Sequence, residues 1–370
     1  MRVLMTGGGT AGHVNPAIAI ANTIKEYDSE SEIAFVCSHL ARDKAQDLVP
    51  RAGYERLYRV EICGSYPIWN PKNLKTAYLM IRSKGQAKKI IREFKPDVII
   101  GTGGFACYPV LNAGAEMGIP TVVHESNAIP GRAVKRLAKK VDVVMTNFES
   151  TAKMISGAKK IMHVGNPSVI GQKKNESIEI AKGYEKSVLI FGGSLGAETL
   201  NRAVVDMLEA IADKYPDTEF YHAAGKRDYE ALGEIYKARG LTKKSNVKLV
   251  DYIYDMDARM KRADLVISRA GAMTICELSL LGKAAILVPS PYVAANHQYK
   301  NAKALYDEGA CELVQESEFE GGRLTRCTED LLSHKAQRAQ MSENIKAFAK
   351  PEANRIIYEE IVKTIQNKSK

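Results

Sequence analysis

The six cysteines, at positions 37, 63, 107, 276, 311 and 327, form no CxxC pair and never fall closer than 16 residues apart. That spacing excludes a disulfide framework and a cysteine zinc site, and leaves reduced thiols that fill buried space. Long apolar runs are also missing. The longest, such as Ala284–Val288, stop far short of the ~20 residues a spanning helix needs, so no segment is expected to cross a membrane. Met1 leads straight into a strand-like Arg2–Thr6 without the order of a signal peptide, and a cytosolic chain is expected. Low-complexity tracts and short-period repeats are absent too. What remains is 370 residues, 45% hydrophobic and 26% charged, enough to bury two domain cores and too apolar for a disordered chain.

The charge balance is uneven. Residues 1–160 hold 23 lysines and arginines against 14 acids, a net of +9, whereas residues 161–370 hold 30 against 29. Such asymmetry points the first half toward something anionic, either nucleic acid or lipid headgroups.

Short β-branched runs alternate with helical patterns along the chain. Strands are expected at Val3–Thr6, Ile33–Ser38, Val98–Ile100, Thr121–His124 and Val141–Thr146, then at Ser187–Phe191, Glu219–Ala223, Val247–Val250, Leu265–Ser268 and Ala285–Val288. This alternation predicts an α/β chain with parallel sheets covered by helices on both faces. Each half opens with a strand running into glycines: Gly7-Gly8-Gly9-Thr10-Ala11-Gly12 and, 185 residues on, Gly192-Gly193-Ser194-Leu195-Gly196-Ala197. Two Rossmann-like domains in tandem follow, with a hinge after Gly165-Asn166-Pro167 and a site in the cleft at the carboxyl ends of the strands.

Gly7-x-Gly9-x-x-Gly12 matches the dinucleotide fingerprint in form, but the second strand ends in Ser38-His39 where a ribose-binding acid belongs. A nicotinamide oxidoreductase is therefore an outside reading. What survives is the physical core of the motif, glycines that let an oxyanion approach backbone amides at a helix start. Ser194 would add a hydroxyl donor for a diphosphate, or simply cap the helix predicted at 198–212. No lysine follows in the P-loop pattern, which argues against ATP hydrolysis. Asp255-x-Asp257 imitates a metal-binding pair but falls where a helix start favours acids, so no catalytic metal is expected.

Two further stretches are more specific: Ser268-Arg269-Ala270-Gly271-Ala272-Met273-Thr274-Ile275-Cys276-Glu277, and Pro289-Ser290-Pro291-Tyr292-Val293-Ala294-Ala295-Asn296-His297-Gln298. They resemble the nucleotide-sugar half of the GT-B glycosyltransferases. Tyr252–Met256, Gly192–Ala197 and Gly165-Asn166-Pro167 narrow the likeness to the MurG family of peptidoglycan transferases. In the first half, Gly8-Gly9-Thr10-Ala11-Gly12-His13-x-x-Pro16, Gly101-Thr102-Gly103-Gly104-Phe105 and His124-Glu125-Ser126-Asn127 are similar to the same family in the same order, so the likeness runs from residue 2 to about residue 345.

The resemblance implies a GT-B fold, two Rossmann-like domains with parallel sheets facing across a cleft. It divides the chain into an acceptor-binding, membrane-associating domain 1–165, a UDP-GlcNAc-binding domain 166–345 and a helical segment 346–370 packed back on the first. It implies inverting transfer of N-acetylglucosamine from UDP-GlcNAc to the 4-hydroxyl of the N-acetylmuramyl-pentapeptide on undecaprenyl diphosphate (lipid I), giving lipid II, with neither cofactor nor metal. In its terms Glu277 takes the ribose hydroxyls, Ala272-Met273-Thr274 present helix-start amides to the diphosphate with Ser194, Ile253 packs at the uracil with its backbone reading the base edge, and Gln298, Asn301 and Asn127 read the sugar. Thr10, Ala11 and Gly12 complete the donor side. Gly8, Gly9, Gly103, Gly104 and His124 form the acceptor and phosphate loops, and His13 is placed at the reaction centre as base, with Glu125 as rival.

Three departures stand out. Ser168-Val169 follows Gly165-Asn166-Pro167 where the family supplies an arginine two residues past the proline, which shifts the phosphate charge to Ser194, the helix starts or Arg269. Thr10-Ala11-Gly12 replaces Thr-Gly-Gly, and Ser126 replaces a glutamine.

Segment 62–91 mixes Tyr66, Ile68, the single Trp69, Tyr78 and Ile81 with Lys72, Lys75, Arg82, Lys84, Lys88 and Lys89. No aromatic pattern of an RNA-binding module accompanies it, so an anionic inner-membrane surface and not nucleic acid is the expected partner. The protein is then expected as a peripheral enzyme at the cytoplasmic face of the cell membrane, with cell-wall synthesis and division proteins as candidate partners. Two other readings share the donor half: a UDP-GlcNAc 2-epimerase, and a sugar-nucleotide-binding subunit of another enzyme.

Overall fold

Val98-Ile99-Ile100 shows how the sequence builds a sheet covered on both sides. With a side-chain period of two, Ile99 enters the apolar cluster on one face while Val98 and Ile100 enter the cluster on the other. Leu265-Val266-Ile267 does the same in the second half, with Val266 on one face and its two neighbours on the other. In the computed structural model, which describes residues 1–41, 43–62, 72–168, 170, 183–193, 196–293 and 296–368, such runs form two parallel sheets.

The first sheet contains β1 (Arg2–Thr6), β2 (Glu32–Ser38), β3 (Leu57–Val60), β4 (Val98–Gly101), β5 (Thr121–Glu125), β6 (Val143–Thr146) and β7 (Ile161–His163), in the order 3-2-1-4-5-6-7. The second contains β8 (Lys186–Phe191), β9 (Thr218–Ala223), β10 (Val247–Val250), β11 (Leu265–Ser268), β12 (Ala285–Leu287) and β13 (Glu312–Leu313), in the order 10-9-8-11-12-13. Numbered from its own first strand, the second sheet follows the doubly wound order 3-2-1-4-5-6 and the first follows the same order with a seventh strand added at the edge, so both halves are Rossmann-like α/β sheets. In each, the glycine loop leaves the strand beside the switch point, where the order reverses. Three strands escape a reading of apolar runs: β3, β7 and β13 lie at sheet edges, are two to four residues long and are mostly half-exposed. An edge strand buried on one side needs no continuous apolar run.

The chain divides into two compact units, residues 1–172 with 350–370, and residues 173–349. The sequence boundaries at 165/166 and 345/346 thus differ from the structural ones by a few residues, for a visible reason. The backbone N–H of Ser168 donates to Asn354 Oδ1 at 3.1 Å, and Asn354 Nδ2 donates to the Ser168 carbonyl at 2.9 Å, tying both crossings to the first unit. The final helix, Ala353–Lys368, buries Ile357 and Ile361 in the first unit's core, stacks Tyr358 on Tyr27 and pairs Glu360 with Lys160. Among the described residues five cysteines are present, all buried thiols.

Candidate active site

The first glycine loop is held by a buried carboxylate that the sequence does not advertise. Asp43 follows β2 and is 3% exposed. Its Oδ1 accepts from the backbone N–H of Gly9 at 2.8 Å and of Ala45 at 3.0 Å, and its Oδ2 accepts from Ser38 at 2.9 Å. The loop after β4 supports the other side. Thr102 donates its hydroxyl to the His13 carbonyl at 2.6 Å, and a Cβ built on Gly104 would lie 2.1 Å from the Gly8 carbonyl oxygen, so the two loops touch backbone to backbone. We expect Asp43→Asn, which puts an NH2 against an N–H, to lower stability by roughly 2–3 kcal/mol. Thermal unfolding checks this, and unchanged stability would remove Asp43 from the loop's support.

His13 lies in the first turn of helix Ala11–Tyr27, behind Thr10, Ala11 and Gly12, with Thr10 and Gly12 exposed. Its Nδ1 is 3.2 Å from the Gly8 carbonyl and 3.4 Å from Thr10 Oγ1. A carbonyl can only accept, so Nδ1 carries the hydrogen and in the neutral ring Nε2 carries the lone pair that a base requires. Gly103 borders the ring, since a Cβ there would come within 2.7 Å of His13 Cδ2. The structure thus brings Gly8, Gly9, Gly103, Gly104 and His13 together.

Glu125 and His124, at the end of β5, are differently employed. Both Glu125 oxygens are taken: Oε1 accepts from Asn127 backbone and side-chain N–H groups at 3.0 and 3.1 Å, and Oε2 from Gly131 at 2.7 Å. This carboxylate folds the loop 126–131 around itself. His124 is fully buried, with Nε2 at 2.8 Å from the Gly165 carbonyl, and burial pushes its pKa down to about 4. The expectation that His124 lines the acceptor loop is corrected: the neutral ring ties β5 to the turn after β7.

In the second unit, helix Ala272–Leu281 starts at Gly271, which has no side chain to cap the first N–H groups. Ala272 and Met273 are buried and Thr274 is half-buried in that turn, and Glu277 follows one turn later, half-buried. Burial pushes the Glu277 carboxyl up to about 7, and the carboxylate of Asp257 adds to the rise. Asp257 itself pairs with Lys261, and Asp255 with Arg259, so the Asp-x-Asp pair belongs to helix Met256–Arg262. Among the described residues no three His, Cys, Asp or Glu side chains gather as a metal site.

Four donor-side candidates are tied into the fold here. Asn301 is 1% exposed and its Nδ2 donates to the Ala270 carbonyl at 3.2 Å, bracing the loop before the helix, while its Oδ1 is buried without a hydrogen-bond partner among the described residues. Gln298 is half-buried and its oxygen accepts from the Ser290 N–H at 2.8 Å, fixing the Pro289–Pro291 turn. The Ile253 side chain is core, packed with Phe191, Tyr221 and Met260, which leaves its main chain for a base. Arg269 pairs with Glu316 and donates to the Val288 and Pro289 carbonyls at 3.3 Å, so it does not replace the missing family arginine. Ser194, Val169, Ile68 and Trp69 lie outside the described residues, as do the side chains of Lys72 and Lys75.

Comparison with known proteins decides the family. The N-terminal domain model of glycosyltransferase family 28 matches residues 3–146, and the C-terminal domain model of that family matches residues 187–356. The chain belongs to glycosyltransferase family 28. A family relative from Acetivibrio thermocellus is 38% identical over all of both chains, and one from Limosilactobacillus fermentum is 37% identical over 96% of each. Both are named UDP-N-acetylglucosamine-N-acetylmuramyl-(pentapeptide) pyrophosphoryl-undecaprenol N-acetylglucosamine transferase. The crystal structure of MurG from Acinetobacter baumannii matches with a TM-score of 0.74 at 26% identity, covering 98% of this chain and 99% of that one. The likeness to the MurG family read from the motifs therefore stands over the full length. A UDP-GlcNAc 2-epimerase from Neisseria meningitidis, bound to UDP-GlcNAc, matches with a TM-score of 0.67 at 15% identity over 98% of this chain and all of that one, and shares the fold alone.

Within this family frame, helix Lys72–Phe94 carries the described part of the basic, apolar segment. Leu79, Ile90 and Ile91 are core, whereas Tyr78 and Ile81 are 60% and 77% exposed. Arg82 pairs with Glu61, and Lys84 and Lys88 with Glu116, so part of the basic excess is balanced internally. No helix among the described residues is long and apolar enough to cross a membrane.

Proposed function

We propose that this chain is a UDP-GlcNAc-dependent glycosyltransferase that moves N-acetylglucosamine from UDP-GlcNAc to the 4-hydroxyl of the N-acetylmuramyl-pentapeptide on undecaprenyl diphosphate, with inversion, making lipid II and UDP for peptidoglycan. The observation that carries the chemistry is His13, whose Nδ1–H is spent on the Gly8 carbonyl and whose Nε2 is thereby set up to take a proton. The full-length relatives carry this activity in their names, and 2-epimerases are like this chain in fold only.

His13 is the general base on this reading. Glu125, the rival, already accepts three N–H groups, and withdrawing it would unmake loop 126–131. On the donor side Glu277 accepts the ribose hydroxyls, while the N–H groups of Ala272-Met273-Thr274 and of the second glycine loop, with Ser194, meet the charge that grows on the leaving diphosphate. Helix starts supply that stabilisation without a metal, and the reaction is expected to survive a chelator. The exposed Tyr78 and Ile81, with the basic first half, support a peripheral position at the cytoplasmic membrane face, where lipid I is anchored.

Glu277 gives this reading a pH signature. A carboxyl with a pKa of about 7 is protonated below that pH, and a protonated acid can no longer accept from both ribose hydroxyls. Affinity for UDP-GlcNAc, whose diphosphate diester does not titrate there, is expected to rise about tenfold from pH 6 to pH 8. Glu277→Gln should bind weakly at both, as calorimetry would read, and a pH-independent wild type would remove Glu277 from the ribose.

The reaction itself is tested by the product. UDP-GlcNAc and a lipid I analogue should give a β-linked disaccharide, read by NMR. Formation of a 2-epimerised UDP-sugar without acceptor would replace the transferase reading with an epimerase.

A further inference from the structure

A chain of buried polar groups in the second unit has no counterpart among the roles above. His222, on β9, is fully buried. Its Nδ1 is 2.6 Å from the hydroxyl of Tyr236 and its Nε2 is 3.1 Å from Asn201 Oδ1. Asn201, 1% exposed on the first turn of helix Glu198–Ile211, donates its Nδ2 to the Ala224 carbonyl at 2.9 Å and to Asp228 Oδ2 at 3.3 Å. Those same two oxygens seat the end of the second glycine loop. Gly196, at φ +78°, lies so close that a Cβ would come within 2.4 Å of the Ala224 oxygen and 2.9 Å of Asp228 Oδ2.

The polarity of this chain is determined. Ala224 offers a carbonyl and Asp228 a carboxylate, both acceptors, so Asn201 must point its NH2 at them and its oxygen at His222. His222 then has to donate from Nε2, and its Nδ1 accepts from Tyr236. Every hydrogen has one place to go, and burial keeps the ring neutral by pushing its pKa down to about 3. Hydrophobic packing alone would fill this space without unpaired donors. A fully satisfied polar chain that ends under a glycine fixes where that glycine's backbone sits. Asp228 also pairs with Arg227 at 2.7 Å on the solvent side, so the carboxylate is held from both directions.

We propose that His222, acting through Asn201, is a positioning residue that sets the second glycine loop for the diphosphate of the sugar nucleotide; this rests on the donor-site reading above. The nucleoside is held elsewhere, by Glu277 and the 252–254 backbone, so the network should matter for the phosphates and not for uridine.

The test compares UDP and uridine affinities, by calorimetry and NMR titration, in the wild type and in His222→Leu, His222→Gln and Asn201→Ala. UDP binding by the wild type is measured first, and its absence would overturn the donor-site reading itself, taking this proposal with it. Given that binding, His222→Leu is expected to weaken UDP about tenfold and leave uridine within about twofold. His222→Gln, whose amide can donate to Asn201 from a similar reach, should restore most of the loss. Asn201→Ala should show the same selective loss and serves alone if His222→Leu does not fold. Equal loss of UDP and uridine, no loss of either, or no rescue by glutamine would each reduce the network to a core element and overturn the proposal.

Discussion

Replacing His13 by alanine is expected to lower kcat for transfer by about 10²–10⁴, the usual weight of one general base, while the affinity for UDP-GlcNAc changes little. On the proposed reading the base acts on the acceptor's hydroxyl, and the ribose and diphosphate are served by the second unit. The hydrogen bond from Nδ1 to Gly8 gives a second handle. His13→Gln can keep a hydrogen bond in this region but has no group basic enough to take the proton, so it should be as slow as alanine. Steady-state kinetics with a lipid I analogue separate the outcomes. A kcat within about threefold of wild type in both variants would move the base away from His13. Glu125→Gln is the natural contrast: it is expected to lose stability first, because an NH2 would face either Gly131 or Asn127.

Gly104→Ala should cost more than any other single methyl in the first unit's loops. The residue stands at φ +85°, where a side chain is strained, and its Cβ would fall 2.1 Å from the Gly8 oxygen and 2.9 Å from the Gly8 nitrogen. Backbone cannot swing aside as a flexible side chain can. Strain of ~1–3 kcal/mol and overpacking of ~1–3 kcal/mol together suggest a loss of roughly 2–6 kcal/mol. The first glycine loop would be pushed off Asp43, carrying the Gly8 carbonyl away from His13. Transfer is therefore expected to fall more than about a hundredfold even where the variant stays folded. Thermal unfolding and kcat measured together read this, and an alanine variant with wild-type stability and rate would refute the contact between the loops.

Much of this was legible in the sequence because it depends on local pattern. Alternating buried strands such as Val98–Ile100 announce a parallel sheet, and the two glycine loops mark the switch points where the strand order reverses. Motif order identified the family because many short stretches agree in sequence over the whole chain. What motifs did not show was which members touch solvent. His124 and Asn301 stand in the right stretches yet are fully buried, one tied to Gly165 and the other to Ala270. Position in a motif records that a residue is needed, not whether it meets a ligand or braces the loop that does. Asp43 was invisible for the opposite reason. It lies 34 residues from the N–H of Gly9 that it accepts, in a stretch with no glycine or repeat to single it out. Arg269 shows the same limit for charge, since a lone cation near a phosphate motif gave no sign of its partner Glu316.

Release of UDP from UDP-GlcNAc by the purified chain, with and without a lipid I analogue and in the presence of a metal chelator, tests the central claim most directly. The expected result is release that requires the acceptor, survives the chelator and is abolished in His13→Ala. Release without acceptor, or release that the chelator stops, would contradict a metal-independent transfer to lipid I.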